Sequence, residues 1–164
     1  MTDRGVGPTR VAIALGANLG DRERQLQQAV DALRTVLDEL AVSSFHDTAP
    51  VGVALPQPNY LNAAATGLTR LAPRVLLARL LEIERTLGRA RPHANAPRTI
   101  DLDLILYGDM RLDEPALTIP HPRFRDRAFV LAPLAEIAPG MMDPETGLTV
   151  EALLRRLPPA ARRP

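Results

Sequence analysis

Two aspartates one residue apart, Asp101 and Asp103, stand inside an otherwise apolar run from Ile100 to Tyr107. Asp is unfavourable in strands, so a pair of them there asks for a reason. Alternation in a strand puts both carboxylates on one face, about 6.6 Å apart along the chain. Carboxylates so placed can converge on hard cations such as Mg²⁺, which take oxygen ligands and keep waters or phosphate oxygens. The plainer account is a strand whose second face is wet. The same alternation puts Ile105 and Tyr107 on the acidic face, which makes that account awkward. Just before the strand comes an arginine series, Arg85, Arg89, Arg91 and Arg98. Arg bonds phosphate oxygens in pairs and stays charged at any working pH. Metal-binding carboxylates beside arginines are what phosphoryl transfer needs. Basic residues also complement the C-terminal end of a helix dipole. That accounts well for Arg85 and poorly for Arg98, which lies beyond two prolines.

Two further groups could do chemistry. His121 is held between prolines in Thr118-Ile119-Pro120-His121-Pro122, followed by Arg125-Asp126-Arg127. It could bind phosphate or relay a proton, although a lone loop histidine is more often structural. In Tyr60-Leu61-Asn62 an aromatic and an amide share one strand face. They could stack on and hydrogen-bond a heterocycle. From these residues alone, a core tyrosine beside a turn amide is the better account. His46 and His93 have no metal-ligand spacing and are given no role.

Composition removes several classes. The 164 residues are 46% hydrophobic and 24% charged, with net charge +1, as in a soluble globular protein. There is no Cys, hence no thiol nucleophile, disulfide or Cys-ligated metal. Every basic residue other than His is Arg, so there is neither a Schiff-base lysine nor a Walker A lysine. Ser43 and Ser44, the two serines, lie outside any G-x-S-x-G turn. Five aromatics, Phe45, Tyr60, Tyr107, Phe124 and Phe129, leave little for a nucleic-acid stacking platform. No apolar stretch approaches the roughly 18 residues of a membrane span, and no convincing export signal is present. A cytoplasmic protein is expected.

The elements that must position these groups follow from periodicity. Residues 1–9 and 158–164 read as loose tails around a single catalytic domain spanning 1–164, with its core at about 11–157. Val11 to Leu15 reads as a buried strand, and Gly16 to Asp21 as a tight connection. Apolar residues at Leu26, Ala29, Val30, Leu33, Val36, Leu37 and Leu40 give a helical period, with Asp21 as N-cap. Val42 to His46 reads as a short strand, 47–59 as a proline-rich irregular loop, and Tyr60 to Leu68 as a strand. Pro73 to Leu87 is a helix, with Pro73 in its first turn and Gly88 as its stop. Its broad face carries Leu76, Leu77, Leu80, Leu81, Glu84 and Leu87. Residues 89–98 read as a mobile loop. Ile100 to Tyr107 is a period-two strand with Ile100, Leu102, Leu104 and Leu106 on one face. Gly108-Asp109 turns the chain, and Leu117 to Ile119 is a short strand. Ala128 to Ile137, interrupted by Pro133, and Val150 to Leu157 are helical. The order suggests α+β with an antiparallel or mixed sheet.

Taken together, the motifs resemble one family, the 6-hydroxymethyl-7,8-dihydropterin pyrophosphokinases of folate biosynthesis. The resemblance is collinear from about Val11 to Leu157. It rests on Gly16-Ala17-Asn18-Leu19-Gly20-Asp21, Thr48-Ala49-Pro50-Val51-Gly52, Tyr60-Leu61-Asn62-Ala63 and Gly88-Arg89-Ala90-Arg91. The run Pro97-Arg98-Thr99-Ile100-Asp101-Leu102-Asp103-Leu104, with Ile119-Pro120-His121-Pro122 beyond it, is its most specific part. It implies a ferredoxin-like α+β sandwich, an antiparallel or mixed sheet flanked by helices. It also implies attack of the pterin hydroxymethyl oxygen on the β-phosphorus of ATP, with AMP leaving. Two Mg²⁺ ions would sit between the triphosphate and Asp101 and Asp103, which with Arg89 and Arg98 form the implied catalytic set. The implied ATP site holds Glu84, Arg89, Arg91, Arg98, Leu104, Thr118, His121 and Arg127. The implied pterin site holds Asn18, Thr48, Pro50, Val51, Tyr60, Asn62 and Phe129, with Tyr60 and Phe129 sandwiching the ring. Loops near 16–21, 47–59 and 89–98 would close over substrates.

The chain departs from the family pattern in one place that touches this reading. Many members carry Arg-Trp-Gly before the Pro-Arg-Thr run, where this chain has Asn95-Ala96-Pro97 in a loop one residue shorter. Closure over ATP then falls to Arg91 or His93, or is weaker. The 47–59 loop is one residue longer than in short members. Two other readings compete with this one: a D-x-D enzyme such as a nucleotide-sugar transferase, and a non-catalytic RNA-binding module. A compact chain with an Arg pair speaks against the first, and a net charge of +1 against the second. The expected partners are ATP and the hydroxymethyl dihydropterin, without nucleic acid, membrane or an obligate protein partner.

Overall fold

The computed structural model of the chain describes residues 7–18, 20–48, 59–88 and 100–158. Four strands and two helices follow each other as β1 (Thr9–Ala17), α1 (Arg22–Leu33), β2 (Asp38–Val42), β4 (Tyr60–Thr69), α2 (Pro73–Leu87) and β5 (Asp101–Tyr107), with β3 (His46–Thr48) between β2 and β4. The sheet order is β2-β4-β1-β5, with β3 pairing β4. Each of these pairings is antiparallel. This is the βαββαβ order of the ferredoxin-like sandwich that the motifs implied. A hairpin of β6 (Leu112–Glu114) and β7 (Leu117–Ile119) follows, then α3 (Ala128–Ile137) and α4 (Val150–Arg156).

Alternation along the central strand sorts the core into two layers. Val11, Ile13 and Leu15 point to the cluster that holds Leu26, Leu33, Leu76 and Leu80 of α1 and α2. Ala12 points the other way, to Ala64, Ile105, Phe124 and the buried faces of α3 and α4. Both helices of the first layer start as their sequences require. The Asp21 carboxylate accepts the Arg24 amide at 3.2 Å, and Pro73 opens α2 without needing an amide partner. Gly88 caps the C-terminal end of α2, its amide bonding the Glu84 carbonyl.

Several sequence expectations are corrected. β1 starts at Thr9 and takes in Gly16 and Ala17, so the connection to α1 is shorter than expected. The apolar spacing through Leu40 suggested helix, but α1 ends at Leu33 and residues 38–42 form a strand. Leu37 is buried there because Gly67 faces it: a Cβ on Gly67 would lie 2.9 Å from the Leu37 Cβ and 3.0 Å from the Asp38 carbonyl. On α2 the third buried residue is Ile83, while Leu81 is exposed. α3 runs through Pro133, which has no N–H for the Phe129 carbonyl. The period-two reading of β5 breaks near its end. Leu104 pairs with Ile13 but Leu106 with Ala12, so Ile105 is an extra, bulged residue. Leu106 therefore joins the α3 layer and Tyr107 the α1–α2 layer, the reverse of strict alternation.

Candidate active site

The sheet face bearing α3 and α4 is covered at one end only. Register carries the rest of that face from strand to strand. Asp103 lies opposite Ala14, and Asp101 opposite Gly16. On the other edge of β1, Gly16 lies opposite Asn62 and Ala14 opposite Ala64. β3 continues the row, with His46 opposite Asn62 and Thr48 opposite Tyr60. Directly paired residues share a face, so the acidic pair, Asn62, Tyr60 and Thr48 all lie on one surface. The strand between them contributes Gly16 and Ala14, which fill almost none of the space above it. Asp103 is exposed and Asp101 half-buried.

The heterocycle end of this surface is preorganised. Asn62 is buried, and its Nδ2 donates to the Thr48 Oγ1 at 2.5 Å. A Cβ on Gly16 would lie 3.2 Å from the Asn62 Oδ1, so the glycine leaves room for the carboxamide. Arg22, at the start of α1, donates to the Asn59 carbonyl at 2.5 Å and reaches the Asp47 carboxylate at 3.4 Å. That ties Asp47 of β3 to Asn59, the residue just before Tyr60. Glu136 of α3 bonds the same region from the other side. It accepts the Ser44 amide at 2.6 Å, the Ser44 hydroxyl at 2.9 Å and the His46 Nε2 contact at 2.8 Å. The Ser44 amide first, then His46, hold its carboxyl below the usual glutamate value. His46, without a role from its spacing, is thus a strut between α3 and β3.

The phosphate end is built around β5. Glu84 of α2 accepts the Leu102 amide at 2.6 Å and fixes the strand between the two aspartates. The His121 amide donates to the Ile105 carbonyl at 2.9 Å, tying the Pro-His-Pro turn to the bulge two residues past Asp103. Burial lowers the His121 pKa, Asp103 opposes, and Arg127 and Arg123 lower it further, for a net downward shift. Both burial and the flanking arginines favour the neutral ring. The Arg123 amide donates to its Nδ1 at 3.2 Å, which leaves Nε2 as the protonated donor. Arg127 caps α3, its guanidinium 5.5 Å from the centre of the Phe129 ring. Thr118 lies on the side of β7 away from the core, half-buried. Leu104 is 4% exposed in the α1–α2 core, so only its backbone borders the acidic face. Asn18, half-buried, follows β1 directly. Arg89, Arg91, Arg98, Pro50 and Val51, with the loop expectations for 89–98 and most of 47–59, lie outside the described residues.

The chain matches the family model for 7,8-dihydro-6-hydroxymethylpterin-pyrophosphokinase over residues 12–139. It belongs to this family. The match runs from within β1 to just past the end of α3. A Pseudomonas aeruginosa relative named 2-amino-4-hydroxy-6-hydroxymethyldihydropteridine pyrophosphokinase is 43% identical over 138 residues, covering 83% of this chain and 85% of the relative. A relative of the same name from Methylorubrum extorquens is 40% identical over 154 residues, covering 93% and 96%. An Arabidopsis thaliana folate synthesis bifunctional protein is 42% identical over 137 residues, but these make up 24% of its length. A crystal structure of Plasmodium falciparum HPPK-DHPS superposes with a TM-score of 0.72 at 14% identity, covering 92% of this chain and 44% of that one. That likeness shows the fold. Pyrophosphokinases of this family are ATP-dependent enzymes, and the α+β sheet flanked by helices is the family's architecture.

Among the described residues no group of three or more His, Asp or Glu could hold a metal by itself. Also among them, no helix is long and apolar enough to cross a membrane.

Proposed function

We propose that the chain transfers pyrophosphate from ATP to the hydroxymethyl oxygen of 6-hydroxymethyl-7,8-dihydropterin and releases AMP. The observation that carries the reading is one shared surface. An acidic pair and a hydrogen-bonded amide–hydroxyl pair flank a glycine on the uncovered face of a pyrophosphokinase sheet. The hydroxymethyl oxygen gives up its proton to solvent and forms a bond to the β-phosphorus. The bond from that phosphorus to the oxygen bridging the α-phosphate breaks, and AMP leaves with its electron pair.

The residues fit two Mg²⁺ ions. Two carboxylates on one strand face, with no third protein ligand among the described residues, suit ions that complete their shells with phosphate oxygens and water. Asp101 and Asp103 would hold them. When bound, the ions would neutralise the triphosphate and polarise the β-phosphoryl group. The chain's own groups bind and orient. Asn62 and Thr48 read the pterin's hydrogen-bonding edge, Tyr60 and Phe129 take its two faces, and Asn18 borders it with Pro50 and Val51. Neutral His121 donates from Nε2 to the nucleotide, with Thr118, Arg127 and the Leu104 backbone beside it. Glu84 holds the strand, and Arg89, Arg91 and Arg98 supply positive charge to the phosphates. The whole chain, residues 1–164, acts as one catalytic domain in the cytoplasm, without nucleic acid or an obligate protein partner.

The test is AMP release from ATP and Mg²⁺ with and without the hydroxymethyl dihydropterin. AMP equal to the pterin consumed supports the reading. ADP as product, or AMP release that ignores the pterin, overturns it.

A further inference from the structure

Arg125 lies four residues after His121 and two before Arg127, yet its charge is committed elsewhere. Its Nε donates to the Asp143 Oδ2 at 2.6 Å and its Nη2 to Oδ1 at 3.0 Å, with a second bond to Glu145 at 2.7 Å. The guanidinium also stacks on Phe124, 4.9 Å from the ring centre. Asp143 is fully buried. Both of its oxygens accept twice, Oδ2 also from the Thr146 hydroxyl at 2.7 Å and Oδ1 also from the Glu145 amide at 3.0 Å. A buried carboxylate needs this degree of pairing.

The seat that presents Asp143 is itself well braced. The Asp143 amide bonds the Leu148 carbonyl and the Gly147 amide bonds the Asp143 carbonyl, both at 2.8 Å. The turn it grips is weakly held by its own backbone. Within residues 121–127 the backbone–backbone bonds are Phe124 to His121 at 3.4 Å, Asp126 to Arg123 at 3.2 Å and Arg127 to Phe124 at 3.2 Å. What fixes this turn is its ends, the buried Phe124 ring, and the Arg125–Asp143 pair.

We propose that Asp143, through Arg125, is a positioning residue for the nucleotide side of the site, setting where His121 and Arg127 stand. The assignment rests on the pyrophosphokinase reading. It extends that reading to a residue beyond 139, where the family match ends. Arg125, neutralised by two carboxylates, is then an anchor for the turn and not a phosphate ligand.

The test compares the full chain with Asp143→Asn and Arg125→Lys. KM for ATP rises about tenfold in each, because misplaced binding groups lose affinity steeply, while KM for the pterin and kcat stay within about twofold. Equilibrium titration with Mg²⁺ and ATP carrying an α,β-methylene bridge, which cannot transfer pyrophosphate, shows the same weakening. A lower melting temperature with unchanged nucleotide affinity in the variants would overturn the proposal, as a purely structural pair predicts. Should Asp143→Asn not fold, Arg125→Lys decides alone by the same shift. If the wild-type chain binds the analogue but makes no AMP with the pterin, the reaction is misassigned, and the titration still tests the positioning.

Discussion

One face of one sheet serves two purposes, and β5 shows both within six residues. At Ile105 and Leu106 the face lies under α3 and α4, where both side chains are at most 1% exposed. At Asp101 and Asp103 the same face is open and charged. The bulge at Ile105 separates the halves. It turns two successive apolar side chains toward α3 and sends the Ile105 carbonyl to the His121 amide. Along β4 the change is one of polarity, from Ala64, 1% exposed beneath α3, to Asn62, also buried, whose amide bonds Thr48. The covered half is built for burial, and the open half for donors and acceptors held in place.

The largest effects separate the halves on β5 itself. Asp103→Ala lowers kcat about 10²- to 10³-fold or more, the scale of losing one preorganised electrostatic group, with the melting temperature near wild type. Leu106→Ala, three residues on and on the same face, costs about 2–5 kcal/mol of stability. Its kcat per folded molecule stays close to wild type. Steady-state AMP release and thermal melts of both variants check the pair. A stability loss in Asp103→Ala equal to that of Leu106→Ala would erase the distinction.

The sequence shows this division unevenly, for physical reasons. Caps and stops are local, so Asp21, Pro73 and Gly88 could be read directly, and the acidic pair stood out because Asp is rare in strands. The bulge was hidden because Ile105, Leu106 and the ring of Tyr107 all suit a core, and each is buried whichever way it points. The end of α1 was hidden because Leu33, Leu37 and Leu40 keep helical spacing while Leu37 packs against Gly67, thirty residues away. Resemblance, not spacing, singled out Glu84, Thr118, Arg127 and Phe129. The struts were invisible to either route: Glu136 meets Ser44 and His46 across some ninety residues, and Arg125 meets Asp143 beyond its own turn. Only the folded chain brings such pairs together.

A smaller effect sharpens the open half. Gly16→Ala places a Cβ 3.2 Å from the Asn62 Oδ1, so the carboxamide must shift by a few tenths of an ångström. That shift strains its 2.5 Å bond to Thr48. KM for the pterin rises about fivefold, the worth of roughly 1 kcal/mol of hydrogen bonding, and KM for ATP does not change. An equal rise in both constants would mean that Gly16 serves the whole surface, not its heterocycle end.

The smallest effect belongs to the strut between the covered and open halves. Glu136 has its folded pKa lowered by the Ser44 amide and then by His46. A carboxyl lowered on folding stabilises the protein above its unfolded value, near 4.5. That contribution is lost as pH falls through the lower folded value. Because the group is partly exposed, its contribution is about 1 kcal/mol or less. Glu136→Gln therefore melts slightly lower than wild type at pH 7, and the gap narrows as pH drops below about 4.5. A gap that stays constant down to pH 3 would mean that the Ser44 and His46 contacts do not depend on the carboxylate charge, and that shape alone joins α3 to β3.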